Sequence, residues 1–244
     1  MTITERLLLP LLATDSARPL ITHYDDGIGS RVELSVATVT NWAAKTANWL
    51  CDEFDVAPGS PVAVALPAHW QTLGVLLGAW WCGAHVVDDP DGAEVVFTAP
   101  NSSIEGVPNA RAAQAGAPNV IVALDPLGQG LPDEPPSGAF DYLTEVRMCA
   151  DDFTPWQETP GDTPALDRLS VDEVLATARK RAAELELGTA DRILSTVDWT
   201  IPDGVLDAVL AVLAAGASLV QVANADPAKF EAKRASERIT RELS

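Results

Sequence analysis

Val56-Ala57-Pro58-Gly59-Ser60-Pro61-Val62-Ala63-Val64-Ala65-Leu66-Pro67 is the stretch on which the fold turns. Pro58-Gly59 is a turn signal, and the run behind it is apolar at every position until a second proline stops it. Valines alternate with alanines over too few residues for a helix, so Val62 to Leu66 reads as a short strand buried on both faces. Upstream, Ser35 can cap a helix whose Val36, Val39, Ala43, Ala47, Leu50 and Phe54 recur on one face. Downstream, residues 68 to 83 carry Leu73, Leu76, Leu77, Trp80 and Trp81, a helix with little wet surface, and Gly83 suits its C-terminus. His85-Val86-Val87 is then a second apolar strand. Strand, helix and strand in this order imply a parallel unit.

The same alternation continues outward. Leu20 to Tyr24 and Arg31 to Leu34 flank Asp25-Asp26-Gly27-Ile28-Gly29 and read as a hairpin. Glu94 to Thr98 and Asn119 to Leu124 are further strands, with a short helix, Ala110 to Ala115, between them. Residues 125 to 168 are proline-rich and lack periodicity, so they read as a long loop with one ordered piece around Phe140 to Met148. Regular pattern resumes with a Ser-capped helix, Ser170 to Leu187. A strand Ile193 to Val197, a helix Gly204 to Ala215 and a strand Leu219 to Val222 follow. A last helix after Pro227 carries Ala228, Ala232, Ala235, Ile239 and Leu243 on one stripe. The fold expected is α/β, with mostly parallel sheets covered by helices on both faces. One sheet holds the strands near 62, 85, 94 and 119; a second, smaller sheet holds those near 193 and 219.

Composition narrows the function classes. The 244 residues hold 16 Lys+Arg against 35 Asp+Glu, a formal charge of −19, and residues 88 to 172 alone hold 16 acids and three bases. Nucleic acids and anionic membrane surfaces both require basic patches, so neither is an expected partner. Cys51, Cys82 and Cys149 are odd in number and widely spaced, which reads as reduced thiols in a cytoplasmic protein. The N-terminal apolar run, Leu7 to Ala13, is broken by Pro10 and too short for a signal segment or a span.

Taken in order, these blocks resemble the N-terminal region of the adenylate-forming superfamily: acyl-CoA synthetases, luciferases and the adenylation domains of peptide synthetases. Val56 to Pro67 is similar to the family's "G-v-x-p-G-D-r-V-a-i-x-l-P". Ala79-Trp80-Trp81-Cys82-Gly83-Ala84-His85-Val86-Val87 is similar to "A-x-x-x-A-G-A-v-x-v". Leu187-Gly188-Thr189-Ala190-Asp191-Arg192-Ile193-Leu194-Ser195 resembles "l-x-x-x-D-r-v-l-s", and Leu210 to Val222 resembles "l-l-x-L-x-x-G-A-x-x-V". The resemblance spans roughly residues 15 to 223 and extends to short actinobacterial proteins of the same type. It implies a first subdomain over 1–150, the start of a second over 151–244, and no C-terminal lid domain.

The family carries a phosphate loop, "[S/T]-[S/T/G]-G-[S/T]-T-G-x-P-K-G", just before the helix that leads to the third block. The matching window is Thr159-Pro160-Gly161-Asp162-Thr163-Pro164-Ala165-Leu166-Asp167-Arg168. Cradling phosphate needs several glycines whose N–H groups turn inward, hydroxyl donors and a lysine. The window offers Gly161, Thr163 and, in place of the lysine, Arg168, but adds Asp162 and Asp167. A carboxylate ~4 Å from a phosphate oxygen costs about 4 kcal/mol at an effective dielectric of about 20. One retained hydroxyl returns about 1 kcal/mol. The acids win, and a remodelled surface loop is the better reading.

Other constellations carry less. Gly27-Ile28-Gly29 precedes a strand and Gly128-Gln129-Gly130 runs into Pro132, so neither is a dinucleotide fingerprint. His23, His69 and His85 lack metal-ligand spacing and there is no C-x-x-C pair. Asp88, Asp89 and Asp91 read as a solvated Asp-Pro-Asp-Gly turn, and no metal is expected. Trp80 and Trp81 read as core. His69 follows a strand end and could line a cleft. Asp198-Trp199 follows another, where the resemblance places substrate-contacting residues and where parallel sheets bind ligands.

The resemblance implies a non-catalytic, acyl-CoA-synthetase-like protein that binds a small ligand or a protein partner. No cofactor is expected, since ATP and AMP are disfavoured, and no catalytic residue is assigned. A homodimer through the apolar stripe of the last helix is one way to cover surface that the parent framework buries. The alternative is a residual nucleotide-binding, adenylate-forming enzyme completed by a metal or a partner chain.

Overall fold

A computed structural model describes residues 1–100 and 116–244. The helix expected over Ala110 to Ala115 lies outside the described residues. The chain opens with two short helices, α1 (Ile3–Leu7) and α2 (Leu9–Thr14). Thr2 and Glu5 form a capping box on the first, and Pro10 sits in the first turn of the second, where its missing N–H costs nothing. The hairpin follows as β1 (Pro19–Asp25) and β2 (Ser30–Ser35), antiparallel. Ser35 then caps α3 (Val36–Phe54) through the Thr38 N–H, as its hydroxyl suits it to do.

The block around Val62 forms β3 (Pro61–Ala65), α4 (Trp70–Trp81) and β4 (His85–Val87), with β5 (Val95–Thr98) and β6 (Asn119–Ile121) beyond. Residues 125 to 168 have the ordered piece expected around Phe140 to Met148, and one further strand near the end. They hold β7 (Ala139–Asp141), α5 (Tyr142–Val146) and β8 (Pro164–Leu166), which turns back into β9 (Leu169–Ser170). Their apolar residues are few, but Phe140, Tyr142, Leu143 and Val146 pack on Trp49 and Phe97 of the core, and that suffices to order the segment. The order β7-β6-β5-β3-β4-β8-β9 makes one seven-stranded sheet, parallel except for the last pair. Its four expected strands lie side by side.

The second sheet is larger than the expected pair. After α6 (Val171–Glu184) come β10 (Arg192–Ser195), α7 (Asp203–Val205), a π-helical turn (Leu206–Leu210), α8 (Ala211–Ala215) and β11 (Ser218–Ala223). Then come α9 (Phe230–Glu237) and β12 (Arg241–Leu243). The sheet order is β12-β10-β11-β1-β2, so the N-terminal hairpin completes it. Strand β1 runs parallel to β11, with Ile21 opposite Leu219 and His23 opposite Gln221. Its Leu20 and Ile21 are buried, so it needs a partner on each edge; β2 supplies one locally and β11 the other. Residues 19–35 join the second sheet, and 164–170 the first.

The last helix also differs from expectation. It ends at Glu237, with Arg238 left-handed at φ +54°, and Leu243 lies on β12 rather than on a helical stripe. Ala232 and Ala235 are exposed, while Lys233 and Glu237 face inward. Counter-charges on the sheet draw them there. Lys233 Nζ meets both Asp26 carboxylate oxygens at 2.7 and 2.8 Å. Glu237 accepts from Tyr24 Oη at 2.5 Å, from Arg31 Nε at 2.8 Å and from Arg192. Among the described residues no helix is long and apolar enough to cross a membrane.

Helices α3 and α4 cross where α4 has Gly74 and Gly78. A Cβ on Gly78 would stand 2.4 Å from Thr46 Cβ and 2.9 Å from the Ala43 carbonyl. Gly78→Ala gains about 1 kcal/mol of helix propensity. It should nonetheless lose a net ~1–3 kcal/mol to overpacking, read as a lower urea midpoint at unchanged slope. The buried carboxylate generates a second prediction. Burial alone would raise the pKa of Glu237, but hydrogen bonds from Arg31, Tyr24 and Arg192 outweigh it and hold the group at about 2. A carboxylate depressed below its unfolded value of about 4.3 contributes stability above that pH and loses it as pH falls through the folded value. The stability difference between wild type and Glu237→Gln should hold from pH 7 to about pH 5, then shrink between about pH 4 and about pH 2. Urea titrations at stepped pH measure it.

Candidate functional site

Parallel strands end together on one side of the molecule, and a cleft of about 380 Å³ lies between the two sheets there. His23 and Asp25 come from the end of β1, Pro67, Ala68 and His69 from the exit of β3, and Leu124 and Pro126 from the exit of β6. Thr196 and Asp198 follow β10, and Gln221 to Ala225 close β11 and its exit. Crevices outside strand C-termini are where open α/β sheets bind ligands.

Two histidines meet at the cleft. Their ring centroids are 4.4 Å apart with planes at 73°. His69 caps α4, its Nδ1 accepting the Gln71 N–H at 3.2 Å. That bond fixes the proton of the neutral ring on Nε2. Burial, and then the neighbouring His23, push the His69 pKa down to about 2. Burial likewise lowers the pKa of His23, against the opposite pull of the Ala68 carbonyl and Asp25. Both rings are neutral at physiological pH. His23 is 3% exposed, and apart from the approach of the Ala68 carbonyl its ring nitrogens have no hydrogen-bond partner among the described residues.

Polar side chains hold the walls. Gln71 accepts the Leu124 N–H at 2.8 Å and donates to the Asp125 carbonyl at 3.1 Å, which ties the exit of β6 to the start of α4. Gln221 accepts from Trp199 Nε1 at 3.2 Å and donates to the Val197 carbonyl at 3.1 Å. Asp25 Oδ1 accepts the Gly27 N–H at 2.8 Å and Asn224 Nδ2 at 2.9 Å, joining the hairpin tip to the exit of β11. Among the described residues no lysine or arginine lines the cleft.

The residues singled out in the sequence fall in two places. His69 and Asp198 line the same cleft. Trp199 is buried beside it and orients Gln221. Gly161, Thr163 and Arg168 are elsewhere, at the β8–β9 edge of the larger sheet, and none of them lines the cleft. The window expected as a loop contains strand β8, because Ala165 and Leu166 are apolar and Leu166 pairs with Val86 of β4. Only Asp167 and Arg168 separate β8 from β9. The Gly161 carbonyl accepts the Asp172 N–H, and a Cβ on Gly161 would stand 2.1 Å from the Asp172 carboxylate, so this glycine seats α6. His85 Nε2 bonds the Asp167 carbonyl, an edge role. Among the described residues no group of three His, Cys, Asp or Glu side chains could hold a metal ion. Sequence reasoning missed His23, Asp25, Gln221 and Asn224 as cleft residues. A lone glutamine inside the apolar run Leu219 to Val222 was the one signal available.

Comparison with known proteins agrees with this architecture. No family model matches the chain. A TIGR03089 family protein of Mycobacterium tuberculosis (strain ATCC 25618 / H37Rv) is 44% identical over 99% of this chain and 98% of its own length. Among solved structures, an acyl-CoA synthetase of Brucella canis superposes with a TM-score of 0.80 at 16% identity, covering 99% of this chain and 47% of its own. MatB from Rhodopseudomonas palustris gives 0.74 at 18% identity, with 99% and 49% covered. The anthranilate CoA ligase AuaEII gives 0.74 at 15% identity, with 98% and 48% covered. The chain spans about half the length of these solved structures. It has the α/β fold of the N-terminal domain of adenylate-forming enzymes, and by its identity to the mycobacterial relative it belongs to the TIGR03089 family.

Proposed function

We propose that this chain is a small-ligand-binding module on an acyl-CoA-synthetase-like framework, and that it does not itself form acyl-adenylates. The observation that carries the reading is the two-residue link, Asp167-Arg168, between β8 and β9. Where the resemblance calls for a glycine-rich turn of stacked N–H groups, the backbone passes from strand to strand. Asp167 adds a carboxylate, and its own N–H is spent on the Val86 carbonyl at 2.9 Å. A triphosphate held there would lack the stacked backbone donors that such groups need, and would meet the Asp167 carboxylate beside the single cation of Arg168.

What remains of a site is the cleft between the sheets. A volume of about 380 Å³ lies within the usual range for small-molecule pockets, roughly 300–1,000 Å³. Asp25, His69, Gln221 and Asn224 are fixed by hydrogen bonds before any ligand arrives, which lowers the ordering cost of binding. The buried, neutral His23–His69 pair suits hydrogen bonding to a ligand.

Two measurements test the reading. ATP–pyrophosphate exchange with purified chain should not rise above the blank with acetate or with anthranilate, the acid in the name of one structural neighbour. Calorimetry with ATP and Mg²⁺ should give no saturable heat. Exchange, or tight ATP binding, would replace this reading with a residual nucleotide-using enzyme.

A further inference from the structure

The cleft has an imbalance of hydrogen-bonding and charge. Among the described residues the lining has two carboxylates, Asp25 and Asp198, and no lysine or arginine. The hydrogen bonds to Asp25 all go to Oδ1, which leaves Oδ2 to accept another. Asp198 is exposed. The Ser30 hydroxyl is buried and unpartnered among the described residues, the buried His23 ring has no partner there beyond the approach of the Ala68 carbonyl, and both residues line the cleft. The Gln221 and Asn224 amides are already committed, to the Val197 carbonyl and to Asp25. Burial keeps both imidazoles uncharged, so they add no cation. An anion entering here would meet two carboxylates and no cation in the lining, whereas an ammonium brings the positive charge that the lining lacks and three donors for the carboxylate oxygens. Apolar surface lies beside the polar groups, from Ile28 at the hairpin tip, 68% exposed, to Pro126 opposite.

We propose that the cleft takes a small organic amine, an ammonium group carried on an apolar body, and rejects carboxylates and phosphates of the same shape. The inference rests on the cleft being a ligand site, as argued above, and it gives that site a charge preference opposite to that of an acid-activating enzyme.

Three probes that share an indole and a short chain and differ in the terminal group separate the possibilities: tryptamine, tryptophol and indole-3-propionate. Their affinities for the full chain are measured by calorimetry or ligand-observed NMR at low salt. Tryptamine should bind at least about tenfold more tightly than indole-3-propionate. Asp198→Asn, at an exposed position with no hydrogen bond to lose, should cut that ratio at least about threefold while leaving tryptophol unchanged. The His23 and His69 ring resonances should shift on adding tryptamine. Equal or tighter binding of the propionate, or a ratio that Asp198→Asn does not change, overturns the inference. If the propionate or the alcohol binds and the amine does not, the cleft stands as a ligand site and only its preference for amines falls. If none of the three binds, both readings fall.

Discussion

The pairing of β1 with β11 is the constraint on which the rest depends. It joins residues 21–25 to residues 219–223 in register. One contact between distant parts of the chain thus sets the width of the smaller sheet, brings His23 beside Gln221, and aims the hairpin tip at the cleft. Helix α4 completes the geometry from the other sheet, since its capping residue is His69. The two imidazoles touch because one strand end and one helix start are held at fixed positions by separate sheets. Neither ring could be placed by its own element alone.

Charge does in the last helix what apolar burial does elsewhere. Lys233 and Glu237 leave water to meet Asp26, Arg31, Tyr24 and Arg192. Ion pairs this well buried are weak sources of net stability, because desolvation offsets much of the attraction. Their geometry is nonetheless demanding. Breaking one partner strands the other, so the network fixes where α9 lies on the sheet and where β12 begins. A chain with a formal charge of −19 places several of its 16 basic residues in this one region, and the cleft is left with carboxylates and neutral rings.

Much of the larger sheet was legible. Val62 to Leu66, His85 to Val87 and the strands near 94 and 119 are apolar on both faces, a pattern that allows little else, and they are neighbours in space. Ser35 and Ser170 signalled their helix starts for a simple chemical reason: each hydroxyl accepts a backbone N–H three residues on. Pairing between remote segments was not legible. Nothing local in Leu20 to Tyr24 names β11 as its second neighbour, so the hairpin could not be assigned to a sheet, and His23 could not be assigned to the cleft. The stripe of Ala228, Ala232 and Ala235 misled for a related reason. Alanine is compatible with either face of a helix, and the opposite charges that decided the matter lie some 200 positions earlier in the chain. His69 and Asp198 were found because residues just past strand ends occupy the same side of any parallel sheet.

The wide separation of β1 and β11 bears on how the molecule is made. Strand β1 leaves the ribosome about 200 residues ahead of β11 and has only β2 as a strand neighbour until β11 has been synthesised. The larger sheet, from residue 61 to 170, can assemble in that interval, because its partners are close in sequence. The smaller sheet closes last, around a strand that has been waiting with one edge bare. Such an edge is a template for the wrong neighbour.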